Sequence, residues 1–223
     1  MTDRLKNDVI FINVDGCADF TDHSDPTPRD NCLHRLTKVN TIKKHLKQSG
    51  LRVYTINPVD GDISYIPFFH REGRDSVYSY SSFILFDLYD VLEKNNIKYS
   101  HIVIFQSDGF PTYINQWDDE FLEYDYIGLA SFEDIVMNGG FSLRSKRLLK
   151  HISELRELKR YETFIEENGH GNEDVVIHEF NYIEKYPPLR ILNKFCMTDP
   201  IPESFGFHKE TIEFDYATSL WGN

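Results

Sequence analysis

Apolar residues in this chain fall into short unbroken runs that end on polar turn residues, with helical periodicities between them. Val9-Ile10-Phe11-Ile12-Asn13-Val14 is the first run. It is β-branched and aromatic, stops at Asp15-Gly16, and predicts a strand covered on both faces. Asp19 to Asn31 is rich in Asp and Pro without periodicity and predicts a mobile loop. From Thr37 to Gln48, Val39, Ile42 and Leu46 share one helical face, and Gly50 stops the helix. Leu51 to Ile56 predicts a second strand, closed by Asn57-Pro58, and Ser82 to Asn95 a second helix through Phe83, Phe86, Leu88, Val91 and Leu92. His101-Ile102-Val103-Ile104-Phe105 is a third buried strand, delivering Gln106-Ser107-Asp108-Gly109 at its end. The second half is less regular. Strands are expected at Tyr126-Ile127-Gly128 and near Gly140-Phe141-Ser142-Leu143, and helices from about Lys146 and from Glu173 through Ile183.

This alternation predicts an α/β fold: one domain over residues 1–223, with a mixed, mostly parallel sheet flanked by helices on both faces. Ligands of such sheets bind beyond the carboxyl ends of the strands, where Asp15 and Asp108 both fall.

Composition narrows the classes. At 40% hydrophobic, with 17 Phe and 13 Tyr, the chain can bury a sizeable core. A net charge of −12 argues against a general polyanion binder. One stretch opposes that average: Arg144, Lys146, Arg147, Lys150, Arg156, Lys159 and Arg160 against Glu154 and Glu157. With Leu148, Ile152 and Leu155 as a buried stripe, these bases read as the solvated face of a helix, or as a footprint for DNA. Cys17, Cys32 and Cys196 are scattered, which suits a reducing compartment. The first residues lack the apolar run of a signal peptide, and no stretch reaches the ~18–20 apolar residues that span a bilayer. A soluble, cytoplasmic protein is expected.

Four polar motifs carry candidate chemistry, each with a plainer reading beside it. Asp108 directly follows a strand, a common place for a carboxylate that holds Mn²⁺ or Mg²⁺ together with substrate phosphates; Asp-Gly is also an ordinary turn. Asn138-Gly139-Gly140 leads into a strand with two missing side chains, which admits a sugar or phosphate to the backbone or marks a bulge. Asn172-Glu173-Asp174 opens a helix as N-cap and acidic first turn, and also offers a carboxylate able to accept a proton from a hydroxyl. His208, after Phe205-Gly206-Phe207, can complete a metal site with a distant Asp, although most isolated histidines do not.

In order, these motifs resemble a family of uncharacterised glycosyltransferase-like domains with the GT-A fold. The matching residues are Phe105-Gln106-Ser107-Asp108, Tyr124-Asp125-Tyr126-Ile127-Gly128, the run Asn138 to Ser145 (Asn-Gly-Gly-Phe-Ser-Leu-Arg-Ser), Asn172-Glu173-Asp174-Val175 and Phe205-Gly206-Phe207-His208. The eight-residue run is the most specific. The likeness covers the second half well and the first strands by pattern only.

The resemblance implies a nucleotide-sugar donor and an acceptor that is a glycan or a hydroxymethylated base in DNA. It implies Mn²⁺ or Mg²⁺ held by Asp108 and His208, with Gln106 standing where such enzymes usually carry the first Asp of Asp-x-Asp. Asp174 matches the base of inverting members and Glu173 an acceptor contact. Asp15, Gln106, Asp108, Asn138, Gly139, Gly140 and Arg144 are the expected donor contacts, and the Asp19–Asn31 loop is expected to order over the donor. Two other readings remain open: a metal-dependent phosphohydrolase using Asp15, Asp108 and His208, and a non-catalytic nucleotide-sugar-binding module, which Gln106 favours.

Overall fold

The computed structural model describes residues 1–13, 28–56, 65–66, 76–130, 137–209 and 212–221. Its first half contains α1 (Asp3–Asp8), β1 (Val9–Asn13), α2 (Pro28–Gln48), β2 (Arg52–Ile56), β3 (Tyr65–Ile66), α3 (Ser76–Phe86), α4 (Leu88–Lys94), β4 (His101–Phe105) and β5 (Gly109–Pro111). The second half contains β6 (Tyr126–Ala130), β7 (Met137–Ser145), α5 (Lys146–Leu155), α6 (Leu158–Asn168), α7 (Glu173–Glu179), α8 (Leu189–Phe195), β8 (Cys196–Met197), β9 (Gly206–His208) and α9 (Phe214–Ser219).

The apolar runs become the centre of a mixed six-stranded sheet in the order β3-β2-β1-β4-β7-β6. β1 pairs in parallel with β2 and β4, and β2 with β3, whereas β7 runs antiparallel to β4 and β6. Side chains alternate across a strand, and the core divides accordingly. Val9, Phe11, Val103 and Phe105 face one layer with Ile42, Leu46, Leu148 and Ile177, while Ile10, Ile12, Ile102 and Ile104 face another with Phe83, Leu88 and Leu92. The sheet is mostly parallel and covered by helices on both faces, as the alternation predicts. A second, three-stranded sheet, β5-β9-β8, lies beside it.

Several elements differ from expectation. Helix α2 already begins at Pro28, so the last four residues of the predicted loop are helical; proline suits a first turn, where its missing N–H costs nothing. Asp15, Asp19–Thr27 and Asn57-Pro58 lie outside the described residues. The helix expected over Ser82–Asn95 is two, divided at Asp87, whose φ of −118° is widened from the helical value and whose side chain makes no cap hydrogen bond to α4. Helix α7 stops at Glu179 instead of continuing through Ile183. Asn181 takes φ 56°, and the amides of Asn181 and Tyr182 return to the carbonyls of His178 and Ile177, closing the helix C-terminus. Among the described residues, no helix is long and apolar enough to cross a membrane.

Two histidines bind the layers in neutral form. His178 Nε2 accepts from the Met137 amide at 3.0 Å, fixing α7 to β7, and His101 lies between Ser100 Oγ (3.0 Å) and the Tyr124 carbonyl (3.3 Å). Burial lowers both pKa values from 6.5 to about 4. Between those values the unfolded chain takes up protons that the folded chain refuses, so stability is complete above about pH 6.5 and declines as pH falls toward 4. Each histidine accounts for on the order of 3 kcal/mol over that window. Urea denaturation at pH 7 and at pH 4.5 should show the loss, with a smaller one in His178→Gln. An equal pH dependence in wild type and variant would contradict the assignment to His178.

Candidate active site

The site is assembled at the carboxyl edge of β1 and β4. Past Phe105, Gln106 and Gly109 exchange backbone hydrogen bonds (2.9 and 3.2 Å), so Ser107-Asp108 form the tip of a tight turn. β5 leaves that turn and pairs antiparallel with β9, placing Gly109 opposite His208. His208 Nε2 consequently lies 3.8 Å from Asp108 Oδ1. A Cβ on Gly109 would fall 2.3 Å from His208 Cδ2, so the imidazole lies here only beside a glycine.

β7 supplies the other wall. Its register places Ile104 opposite Ser142, and continuing that register places Gly140 opposite Gln106. A Cβ on Gly140 would meet His208 Nε2 at 2.2 Å and Gln106 Oε1 at 2.6 Å. A Cβ on Gly139 would meet Glu173 Oε1 at 2.6 Å, Arg144 Nη2 at 2.9 Å and Asp174 Cβ at 3.3 Å. The two glycines therefore separate the Gln106–Asp108–His208 side from the carboxylates of α7. Asn138 Oδ1 accepts from the Gly140 amide (2.8 Å), and Asp174 Oδ2 accepts from the Gly139 amide (2.9 Å). Asp174 Oδ1 takes the Val175 amide at 2.8 Å. Asn172 is the N-cap residue of α7, as expected, its carbonyl accepting from the Val176 amide (3.1 Å), but its side chain makes no cap hydrogen bond.

Arg144 is fully buried. Its Nη2 donates to Glu173 Oε1 (2.8 Å) and lies 3.5 Å from the Gly139 carbonyl, and its Nε donates to Ser142 Oγ (3.2 Å). The guanidinium lies 5.2 Å from the centre of the Tyr126 ring. Burial works against the charge, but Tyr126 and Glu173 outweigh it and raise the Arg144 pKa. The second oxygen of Glu173 accepts from Ser81 Oγ at 3.3 Å. Tyr80 joins this cluster from α3, its phenol pKa pushed well up by burial and then by Glu173. Tyr80 and Ser81 escape sequence reasoning, and the one signal is the unusually polar stretch Ser79 to Ser82 inside an apolar helix; Ser142 stands in the matched run, but nothing in the sequence assigns it a role.

The basic stretch from Arg144 to Arg160 is not one solvated helical face. Arg144 is interior, and α5 ends at Leu155, which is exposed and not part of a buried stripe. Arg156 follows in the left-handed conformation (φ 44°). Most of the remaining bases pair with acids: Lys146 with Glu93, Arg147 with Asp125 and Glu184, Lys150 with Glu154, Arg156 with Asp87 and Asp90, and Arg160 with Glu157.

Asp108, His208, Gln106, Asn138, Gly139, Gly140, Arg144, Glu173 and Asp174 thus gather around the glycine stretch of β7, where its register against β6 shifts, while Asp15 lies outside the described residues. Among the described residues no group of three or more His, Cys, Asp and Glu side chains gathers at metal-binding spacing. Asp108 and His208 form a pair to which Gln106 adds an amide oxygen.

The mixed α/β layout is similar to that of a solved glycosyltransferase involved in glycosylation of the major capsid of PBCV-1. That likeness has a TM-score of 0.50 over 96% of this chain and 97% of that one, at 13% identity, and is one of fold. Residues 66–212 match the family described as protein of unknown function (DUF5672), and the chain belongs to that family. No curated protein matches it.

Breaking a buried ion pair strands the surviving charge, at a cost of about 3–5 kcal/mol, whereas exposed pairs contribute about 0–1 kcal/mol. Glu173→Leu is therefore expected to lower the unfolding free energy by about 3–5 kcal/mol, and Glu154→Ala, at the exposed Lys150 pair, by under about 1 kcal/mol. Equal losses in urea titrations would mean that the Arg144 charge is not stranded.

Proposed function

We propose that this protein transfers a sugar from a nucleotide-sugar donor to an acceptor hydroxyl, with inversion at the anomeric carbon. The observation that carries the reading is the placement of Gly139-Gly140, whose missing side chains let Gln106 and His208, a potential cation-holding side, and Glu173, Arg144 and Asp174, a carboxylate side, close in on one short stretch of β7. The donor diphosphate is assigned to the first side and the acceptor hydroxyl to the second. Asp174 accepts the acceptor's proton as that oxygen bonds the anomeric carbon. The bond from that carbon to the diphosphate oxygen breaks on the opposite face, and the nucleoside diphosphate leaves with the electron pair. The absence of side chains at Gly139 and Gly140 brings the two sides near enough to serve one sugar.

Asp108 Oδ1, His208 Nε2 and Gln106 Oε1 are oxygen and nitrogen donors suited to Mn²⁺ or Mg²⁺, which commonly take one or two protein carboxylates and complete their shell with substrate phosphates. Such an ion, when bound, supplies positive charge against the departing diphosphate. The acceptor is a glycan or a hydroxymethylated DNA base. Pairing of most of the α5–α6 bases with acids supports the glycan.

Melting temperature against a panel of sugar nucleotides, each with and without Mn²⁺, tests the donor side. Binding at a hundredfold excess over Kd stabilises the fold by about 2.7 kcal/mol. One nucleotide should raise the melting temperature in a Mn²⁺-dependent way in wild type and fail to do so in Asp108→Ala. Asp174→Asn should keep that shift and lose about 10²- to 10⁴-fold in transfer rate, and proton NMR of the product should show the inverted anomer. No shift across the panel would overturn the donor assignment. Sugar release to water without any acceptor preference would favour a hydrolase.

A further inference from the structure

We propose that Arg144 and Glu173 do not touch substrate but are the positioning residues that hold the Gly139 stretch of β7 and Asp174 in register; this rests on the transferase reading for its kinetic consequence only. The two neighbouring acids of α7 have different surroundings. Both Glu173 oxygens are occupied inside the protein, by Arg144 Nη2 at 2.8 Å and Ser81 Oγ at 3.3 Å, and the residue is 6% exposed. Asp174 is only half-buried, and its two oxygens accept from the backbone amides of Gly139 and Val175 rather than from a charged partner.

The contacts close a ring. Arg144 reaches Glu173 on α7 and the Gly139 carbonyl on β7, and Gly139 returns its amide to Asp174, the residue after Glu173. Ser142 Oγ braces the same carbonyl at 2.9 Å while accepting from Arg144 Nε. The carbonyl of Gly139 is thus held by Arg144 and its amide by Asp174, the neighbour of the Arg144 ion-pair partner Glu173. Stability does not account for this arrangement. Buried ion pairs rarely outperform apolar replacements of similar volume, and here Arg144 Nη1 and the Tyr80 hydroxyl are buried without a hydrogen-bond partner among the described residues. What the pair provides is direction. A guanidinium fork engages three acceptors at fixed angles, which a lysine ammonium cannot reproduce.

The test compares Arg144→Lys, Glu173→Gln and the double variant Arg144→Met with Glu173→Leu, which removes both charges and fills the space. Amide hydrogen exchange over residues 137–142 should become faster in all three relative to wild type. In transfer assays kcat should fall about 100-fold, the scale of an ångström-sized misplacement, with the donor KM little changed. Should a single variant fail to fold, the double variant still decides. It is expected to keep a melting temperature near wild type while remaining fast-exchanging and slow in turnover. Recovery of both wild-type exchange and wild-type kcat in the double variant would overturn the proposal and leave the pair a packing element. An increased donor KM with unchanged kcat would also overturn it, by making Arg144 a donor contact. If wild type transfers no sugar from any donor, the transferase reading fails, and the exchange rates still decide whether the pair holds this stretch of β7.

Discussion

The reversal of strand direction between β4 and β7 is the constraint on which the site depends. In an all-parallel sheet the start of β7 would lie at the amino edge, far from the end of β4. Because β7 runs antiparallel, its first residues arrive where β4 finishes, and Asn138-Gly139-Gly140 meets Gln106 and Asp108. The same strand then carries Arg144 back into the core, five residues from Gly139, so one element both opens the site and anchors it. Ligand sites of open α/β sheets gather at the carboxyl edge because loops diverge there. Here the antiparallel strand adds backbone to that edge where a loop alone would otherwise have to supply it.

Close approach is achieved by omission. Side chains at Gly109, Gly139 and Gly140 would each collide with a polar group: the His208 ring at Gly109, the Glu173 carboxylate at Gly139, and the tips of His208 and Gln106 at Gly140. The acidic groups of α7 and the His208 side are kept apart by bare backbone, not by an apolar wall. That arrangement needs firm support from beneath, and the aromatic cluster of Phe110, Phe141, Phe195, Phe205 and Phe207 provides it. Phe141 stacks on Phe195 at 5.0 Å, and Phe110 meets Phe207 edge-on at 4.9 Å. Offset and edge-on contacts between rings are directional as well as apolar, so the residues flanking the glycines are held more tightly than the glycines themselves.

The parts of the fold legible from sequence are those where one physical cause dominates. β1 and β4 are continuous apolar runs buried on both faces, and the structure bounds β4 where its run begins and ends. The three strands of the second sheet are two or three residues long, too short for any period to register. Pro28 conceals the start of α2 because proline signals both turns and first helical turns. Arg144 was grouped with neighbouring bases by spacing in sequence, but it belongs to β7 and points inward, whereas Lys146 and Arg147 belong to α5. Charge patterning reports composition and does not report burial. The candidate site was legible as motifs because Asp108, Glu173, Asp174 and His208 bring their chemistry with their side chains. Tyr80 and Ser81 bring theirs only through the neighbours that folding provides.

His208 and Asp108 come close only because two rungs of a three-residue ribbon align, Gly109 with His208 and Phe110 with Phe207. Strand side chains alternate strictly, so a slip of one residue would send the imidazole to the opposite face and bring Phe207 to the turn in its place. Which side chain reaches the turn is therefore a matter of register and not of degree. That register carries aromatic packing on the residues directly beside the polar pair, Phe110 after Gly109 and Phe207 before His208. The Asp108–His208 approach thus depends on rings that contribute no polar atom to the site.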